Sequence, residues 1–281
     1  MTPRFILLLL VLFLLGLVVG SFLNVCIHRW PRDESVIRPR SHCPECETTL
    51  GWADLIPLIS YLVLKARCRH CSARIPLRYP IVELSNGLLF AYLFYRGGPE
   101  LMTAKMAIFG SMMIVLIFTD LTEYILPDEI TLGGLIFGIV LSGFVYLGPG
   151  PVAFTLMLFN AEYAPWAVSL MESVVATLLL GGVLLLVAEA YLRYRKVEGM
   201  GLGDVKMIGM MAAFWGAGDT LTMVVLGSTI AAISGVLIVL ISRKGWDYAL
   251  PFGSYLGATA LIVMLWGSEL MTWYMTIVTG G

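Results

Sequence analysis

A series of long apolar segments constrains this chain more than any other feature of its sequence. The first, residues 5–27, contains no charged residue and is long enough for a helix to cross the hydrocarbon core of a bilayer. A secretory signal usually has a shorter apolar core and a small-residue cleavage site, which the following Cys26-Ile-His-Arg29 lacks. The segment is therefore predicted to remain as a first membrane helix.

Further apolar segments bring the prediction to eight membrane helices. Hydrophobic residues make up 59% of the chain and charged residues 13%, which excludes an ordinary soluble domain. Between the segments, the stretch from Gly148 to Trp166 is predicted as a turn followed by an apolar loop. The seven further segments cover residues 81–96, 101–119, 131–148, 168–192, 205–218, 220–242 and 252–274. The predicted fold class is an all-α integral membrane protein with a small cytoplasmic zinc-binding loop domain.

Positive charges are distributed unevenly and predict the orientation of these helices. Lys and Arg concentrate in the short cytoplasmic loops of membrane proteins. With the amino terminus outside, fifteen of the 18 Lys and Arg residues would face the cytoplasm, nine of them within residues 28–80. Only Arg4, Arg96 and Lys105 would face the other side.

One long polar insertion divides the chain into three predicted parts. Residues 28–80 form a loop domain between the first membrane helix, residues 1–27, and a helical membrane domain, residues 81–281. At about 50 residues, the insertion is near the size below which a hydrophobic core alone is marginal and metals or disulfides assist folding.

Four of the five cysteines form two Cys-x-x-Cys knuckles in this insertion, at Cys43, Cys46, Cys68 and Cys71. Two such knuckles offer four thiolates, which complete the tetrahedral shell of a structural zinc ion and leave no open position. Disulfides or a redox motif are the rival interpretation, but persistent disulfides are rare in the reducing cytoplasm. The neighbouring His42 and His70 are expected to be solvated or hydrogen-bonded rather than to bind the metal.

Asp120 and Asp204 are the candidate catalytic residues. Ionisable residues in membrane segments are rare and mark possible sites, and both aspartates are predicted at the cytoplasmic face. Two carboxylates that share a proton can activate a water molecule with one group and polarise a carbonyl with the other. Asp120 could instead be a helix-terminal residue satisfied by water, and Asp204 an N-cap, but their occurrence at one face favours the catalytic pair.

Three glycines precede the second aspartate, at Gly199, Gly201 and Gly203. Backbone without side chains permits the close approach of an extended substrate strand, which could pair with this loop through main-chain hydrogen bonds. The glycines are not a nucleotide-binding fingerprint, because no βαβ unit surrounds them. Asp128 follows Leu126-Pro127 and is predicted to cap the fourth helix.

These motifs resemble those of a known family, the bifunctional type IV prepilin leader peptidases and N-methyltransferases, which are related through a Gly-x-Gly-Asp element to presenilin-like proteases. The resemblance covers nearly the whole chain. Besides the cysteine quartet and the two aspartate motifs, it includes Gly20-Ser-Phe-Leu-Asn-Val-Cys-Ile-His-Arg29, Arg78-Tyr-Pro-Ile-Val-Glu83 and Pro251-Phe-Gly-Ser-Tyr255. The last departs from a commoner Pro-Phe-Gly-Pro, a change that we expect to alter a loop rather than the chemistry.

The resemblance implies an enzyme of the bacterial inner membrane that cleaves prepilin and pseudopilin leaders after a glycine, with Asp120 and Asp204 as its catalytic pair. It also implies methylation of the new amino terminus with S-adenosylmethionine, and the complete cysteine quartet predicts the bifunctional form. Such enzymes serve type IV pili and type II secretion. Glu83 and the basic residues near the knuckles are candidates for contacting the methyl donor. Membrane lipid and the substrates are the expected partners, with no nucleic acid.

Three other functions are compatible with parts of the sequence. A general intramembrane aspartyl protease would not need the long zinc-binding loop. A transporter that relays protons through Asp120 and Asp204 would favour carboxylates near the bilayer midplane and an inverted repeat, and the sequence shows neither. A structural scaffold would leave the paired aspartates unexplained.

Overall fold

The computed structural model describes residues 2–160, 163–196, 200–242 and 250–279. Across these ranges the chain forms helices and short turns, and its extended pairing is limited to two isolated β-bridges. The all-α fold expected from the sequence is confirmed. The chain forms two compact units, Met1–Val115 and Leu116–Gly281.

The first unit is built on a close pair of antiparallel helices. It contains α1 (Pro3–Arg29), α2 (Ile59–Val63), α3 (Arg78–Gly97) and the first part of α4 (Leu101–Glu123). A Cβ atom at Gly16 would lie 2.7 Å from the carbonyl oxygen of Asn86, and one at Gly20 would lie 2.7 Å from the Cα of Glu83. Small residues four positions apart let membrane helices approach this closely, so α1 and α3 pack backbone to backbone.

The loop domain lies between α1 and α3 and is tied to the ends of both. Buried Arg29, the last residue of α1, donates to the carbonyl oxygens of Ser35 at 2.9 Å and Pro39 at 2.8 Å. On α3, the Glu83 carboxylate accepts a hydrogen bond from the Leu58 amide at 2.9 Å. Glu83, a sequence candidate for contacting the methyl donor, therefore anchors the loop.

The second unit is organised around one long helix. It contains α5 (Asp128–Ser142), α6 (Pro151–Leu158), α7 (Pro165–Ala176), α8 (Val183–Arg195), α9 (Leu202–Ser242) and α10 (Phe252–Thr279), with a π-helical turn, Thr177–Gly182, joining α7 to α8. Helix α9 contacts α5, α7 and α10. Its inner face buries Met207, Met210, Met211 and Phe214 completely.

Helix α9 is broken at Gly216, where φ is 75°. Glycine adopts this left-handed backbone without the steric cost that other residues pay. The 41 residues of α9 would extend about 60 Å as one straight helix, about twice the thickness of the hydrocarbon core. The break falls close to the division that the sequence predicts between segments 205–218 and 220–242.

Five helices of the described ranges are long and apolar enough to cross a membrane: Pro3–Arg32, Leu101–Glu123, Pro165–Arg195, Leu202–Ile241 and Phe252–Val278. Helices α3 and α5 are absent from this set, and α5 has only 15 residues. The predicted number of eight crossings is therefore not confirmed.

The stretch predicted as an apolar loop after Gly148 contains helix α6. The buried Glu172 of α7 explains why it forms, because its Oε1 accepts hydrogen bonds from the amides of Gly150 at 2.9 Å and Ala153 at 2.8 Å. The first amides of a helix lack intrahelical partners, and a carboxylate 19 to 22 residues away satisfies two here. The local sequence does not reveal this partner.

Candidate active site and metal centre

Asp120 lies in the last turn of α4 and is buried. Its Oδ2 accepts hydrogen bonds from the Ser254 amide at 2.6 Å and from the Ser254 hydroxyl at 2.9 Å. A hydrogen bond to a carboxylate is stronger than one between neutral groups. Asp120 is thus held by protein donors, whereas the sequence left open that it is satisfied by water.

Ser254 is the third residue of α10, so its amide belongs to the first helical turn, where N–H groups are available to an anion. Its hydroxyl also lies 3.1 Å from the Ile117 carbonyl, but it carries a single proton and the carboxylate is the stronger acceptor. The serine of Pro-Phe-Gly-Ser, which was expected to alter a loop rather than the chemistry, lies in a helix and contacts a candidate catalytic residue. A proline at this position would carry neither donor.

Asp204 is the third residue of α9 and not its N-cap, since the helix begins at Leu202. Its helix turn is linked to Asp120 through Leu126, which lies in the segment directly after α4. Leu126 packs between the first turns of α9 and α10: a Cβ at Gly203 would lie 3.1 Å from Leu126 Cβ, and one at Gly253 would lie 2.9 Å from its Cδ1 and 3.3 Å from Asp120 Cγ.

The two carboxylates differ in their hydrogen bonding. Asp120 has the amide and hydroxyl of Ser254, whereas no donor within the described ranges reaches the side chain of Asp204. Hydrogen bonds to the charged form of a carboxyl group favour that form. The two donors of Ser254 therefore support a negative charge on Asp120.

The glycines before Asp204 leave space around its carboxylate. A Cβ at the exposed Gly201 would lie 3.2 Å from Asp204 Oδ2, closer than an ordinary van der Waals contact. Gly203 packs against Leu126. Gly199 lies outside the described residues, and the substrate-binding role of the three glycines stays a prediction.

The sequence suggested that Asp128 caps α5, but the structure shows that it does not. It is the first residue of that helix, Pro127 holds the N-cap position, and the Asp128 carboxylate instead binds Lys206 Nζ through oxygens at 2.7 and 2.9 Å. The first N–H groups of a helix can be left to water at an exposed end, and a lysine from α9 provides the stronger partner. The salt bridge joins α5 to α9 two residues beyond Asp204.

The four knuckle cysteines converge in the first unit. Their Sγ atoms all lie within 4.8 Å of one another, and those of Cys43 and Cys71 are 3.8 Å apart. Four sulfurs about 2.3 Å from a zinc ion would be about 3.8 Å apart at tetrahedral angles. A disulfide bond requires about 2.05 Å, so the cluster fits a metal ion.

The two knuckles have the same backbone geometry, which explains why both present their thiols to one point. The Cys43 amide donates to the Thr48 carbonyl at 3.0 Å, and the Cys68 amide donates to the Ala73 carbonyl at 2.8 Å. An antiparallel bridge closes each turn, between His42 and Thr49 in one and between Arg67 and Arg74 in the other.

Hydrogen bonds prepare two of the thiols for metal binding, which requires thiolates. Bonding to Thr48 lowers the pKa of Cys46 to about 6. Backbone amides at Cys71 and His70 lower the pKa of Cys68. The ring of His42 is hydrogen-bonded to the Arg40 carbonyl at 3.3 Å.

Two family models match this chain, one after the other along the sequence. Residues 14–97 match the bacterial peptidase A24 N-terminal domain, and residues 107–236 match the type IV leader peptidase family. Curated relatives named prepilin leader peptidase/N-methyltransferase include that of Aeromonas hydrophila, 33% identical over 94% of this chain and 92% of its own length. The relative from Myxococcus xanthus is 37% identical over 83% of this chain and 64% of its own length. The relative from Pseudomonas aeruginosa is 29% identical over 93% of this chain and 91% of its own length. No solved structure matches the chain.

Proposed function

Since the chain belongs to the type IV leader peptidase family, we propose that it removes the leaders of prepilins and pseudopilins and methylates the amino terminus that cleavage exposes. The observation that supports the peptidase activity is that the first turns of α9 and α10, which hold Asp204 and the Ser254 donors to buried Asp120, pack against the same residue, Leu126. Relatives of nearly the same length, all named for both activities, support the bifunctional assignment.

In the proposed reaction, ionised Asp120 takes a proton from a water molecule. The water oxygen bonds to the carbonyl carbon of the last leader residue, the glycine, while protonated Asp204 donates its proton to the oxygen of the same carbonyl. The resulting diol collapses as the C–N bond breaks and a proton passes to the leaving amine, so the leader ends in a carboxyl group and the mature chain in an amine. The Ser254 donors support the ionised form of Asp120.

Zinc and S-adenosylmethionine are the proposed cofactors. Cys43, Cys46, Cys68 and Cys71 would hold the zinc ion and fix the fold of the loop domain. S-adenosylmethionine would supply the methyl group, and the new amine must be unprotonated to accept it.

The charge distribution supports the proposed location. The proposal is that the loop domain and both aspartates lie at the cytoplasmic face of the inner membrane, with the amino terminus outside; it is supported by the fifteen-to-three excess of Lys and Arg on that side in the eight-helix prediction. The proposed division into residues 1–27, 28–80 and 81–281 assigns cleavage to the last part and associates methylation with the loop domain and its neighbouring segments.

The test is an assay of purified Asp120→Asn and Asp204→Asn variants with a prepilin substrate, followed by mass spectrometry of the product. We expect each substitution to abolish cleavage, since the two groups act as a unit. Asp219→Asn is the matched control, because this exposed aspartate lies 15 residues after Asp204, beyond the break of α9 at Gly216.

A second substrate, a mature peptide with a free amino terminus, separates the two activities. Both aspartate variants should still methylate it. Retained prepilin cleavage in both variants would refute the two-aspartate mechanism. Failure of the folded wild-type protein to cleave prepilins while it cleaves other membrane helices would instead indicate a general intramembrane protease.

A further inference from the structure

A basic cavity lies in the loop domain, beside the second cysteine knuckle. Its volume is about 390 Å³, within the range of pockets that bind small molecules. The cavity is contained in one short stretch of chain and is lined by Tyr61, Lys65, Ala66, Arg67, Arg74, Ile75 and Leu77. Three of these seven side chains are cations, and none is an anion.

Two of the cations are held opposite each other. Arg67 and Arg74 form an antiparallel β-bridge, and like charges at directly opposed positions destabilise such a pair. No acidic side chain within the described ranges forms a salt bridge with Lys65, Arg67 or Arg74. By contrast, nearby Arg69 is paired with Asp54 at 2.8 Å. An anion in the cavity would relieve the repulsion between these two guanidinium groups, which no acidic side chain of the described ranges offsets.

Apolar side chains are exposed around the same cavity. Leu77, which lines it, is 66% exposed, and Leu62, the neighbour of Tyr61, is 73% exposed. Ile59, Val63 and Ile81 are also exposed. Leucines this exposed next to cations are typical of a surface that lies in the boundary between lipid headgroups and acyl chains.

The position of the cavity along the chain agrees with such a boundary. Leu77 immediately precedes α3, which packs antiparallel to the apolar helix α1. The apolar run of α1 ends at Ile27, close to the first residues of α3. The cavity is therefore a few residues from the level at which the helix pair enters the membrane.

We propose that this cavity binds the phosphate-bearing headgroup of an anionic phospholipid. Arg67 and Arg74 would bind the phosphate oxygens, since guanidinium groups match phosphate in two-point geometry, and Lys65 would add a point charge. Leu62 and Leu77 would lie against the acyl chains. Soluble phosphate shares the headgroup chemistry but does not account for the exposed leucines, and the sulfonium cation of S-adenosylmethionine would meet three positive charges.

The experiment uses the full chain in nanodiscs of phosphatidylcholine with increasing phosphatidylglycerol. Native mass spectrometry after ejection from the nanodisc measures which lipid stays bound. The test variant is Arg67→Gln/Arg74→Gln, and the control is Arg38→Gln/Arg40→Gln, two exposed arginines of the same loop domain that do not line the cavity. Zinc content reports whether each loop domain is folded, and Arg67→Lys/Arg74→Lys replaces the test variant if zinc is lost.

We expect the wild-type protein and the control to retain phosphatidylglycerol in preference to phosphatidylcholine. In the test variant, the ratio of bound phosphatidylglycerol to bound phosphatidylcholine should fall at least about tenfold. The lysine variant should retain part of it, because its charge persists without the two-point geometry. An equal loss in control and test variants would show general charge attraction and overturn the proposal.

A calorimetric titration of the protein in pure phosphatidylcholine nanodiscs distinguishes the other occupants. Inorganic phosphate or S-adenosylmethionine that binds the wild-type protein but not Arg67→Gln/Arg74→Gln would assign the cavity to that molecule and overturn the lipid proposal. Unchanged binding of either molecule by the variant supports a lipid site separate from it.

Discussion

Replacing Ser254 with Ala tests the asymmetry of the carboxylate pair. The substitution removes the hydroxyl donor at 2.9 Å from Asp120 Oδ2 and leaves the amide donor at 2.6 Å. A hydrogen bond to a charged group contributes about 1.5–3 kcal/mol, which corresponds to about 10- to 150-fold in rate if ionised Asp120 is the base. Because the amide remains, we expect the lower end, about a tenfold loss of kcat for prepilin cleavage with KM unchanged.

Three measurements distinguish this effect from a structural one. Ser254→Thr keeps a hydroxyl and should recover most of the rate, and Ser268→Ala, an exposed serine on the same helix, should match the wild-type protein. Methylation of a mature peptide by Ser254→Ala should be unchanged, because that reaction does not use the carboxylate pair. A cleavage rate within twofold of wild type in a folded Ser254→Ala variant would refute the role assigned to the hydroxyl.

Two further predictions concern the cysteine cluster. Cys43→Ser or Cys68→Ser should lower zinc content and speed proteolysis within the loop domain, and a chelator should have the same effects. Cys26→Ala in α1 is the control. Stoichiometric zinc in both serine variants would exclude the quartet as the zinc site. Thr48→Val should shift zinc release to higher pH, because the hydroxyl contributes to the lowered pKa of Cys46 and a thiol of higher pKa keeps its proton against the metal at higher pH. Metal content measured across a pH series checks this, and a release curve that coincides with the wild-type curve would contradict it.

Local patterns were sufficient to predict the all-α fold and the clustering of the four cysteines. Apolar runs of membrane length and the two Cys-x-x-Cys spacings depend on residues close together in the chain, so neither requires knowledge of the fold. Helix ends were less predictable: residues 131–148 were expected to be helical, whereas α5 covers Asp128–Ser142. The cap of α6 was missed for a related reason, since its carboxylate comes from a different helix.

Long-range hydrogen bonds set the limits of prediction at the candidate site. Asp120 and Asp204 could be selected individually because charges are rare in apolar segments, but Ser254 is 134 residues from its partner. The Pro-Phe-Gly-Ser motif could be recognised in the sequence, but the contact of its serine with Asp120 could not. Asp128 was misassigned because a helix-initial aspartate usually suggests a cap, and Lys206 could not be identified as its partner from spacing alone.

The ends of three helices meet the two aspartates of the candidate site. Asp120 is near the carboxyl terminus of α4, where the helix dipole disfavours a negative charge. The first turn of α10 compensates, because it directs the Ser254 amide at that carboxylate with the favourable end of its own dipole. Asp204 lies in the first turn of α9 and receives the same dipole effect without a donor to its side chain. Helix α10 thus belongs to the candidate site as much as the two helices that carry the aspartates, and displacing its first turn should impair cleavage even when both carboxylates are intact.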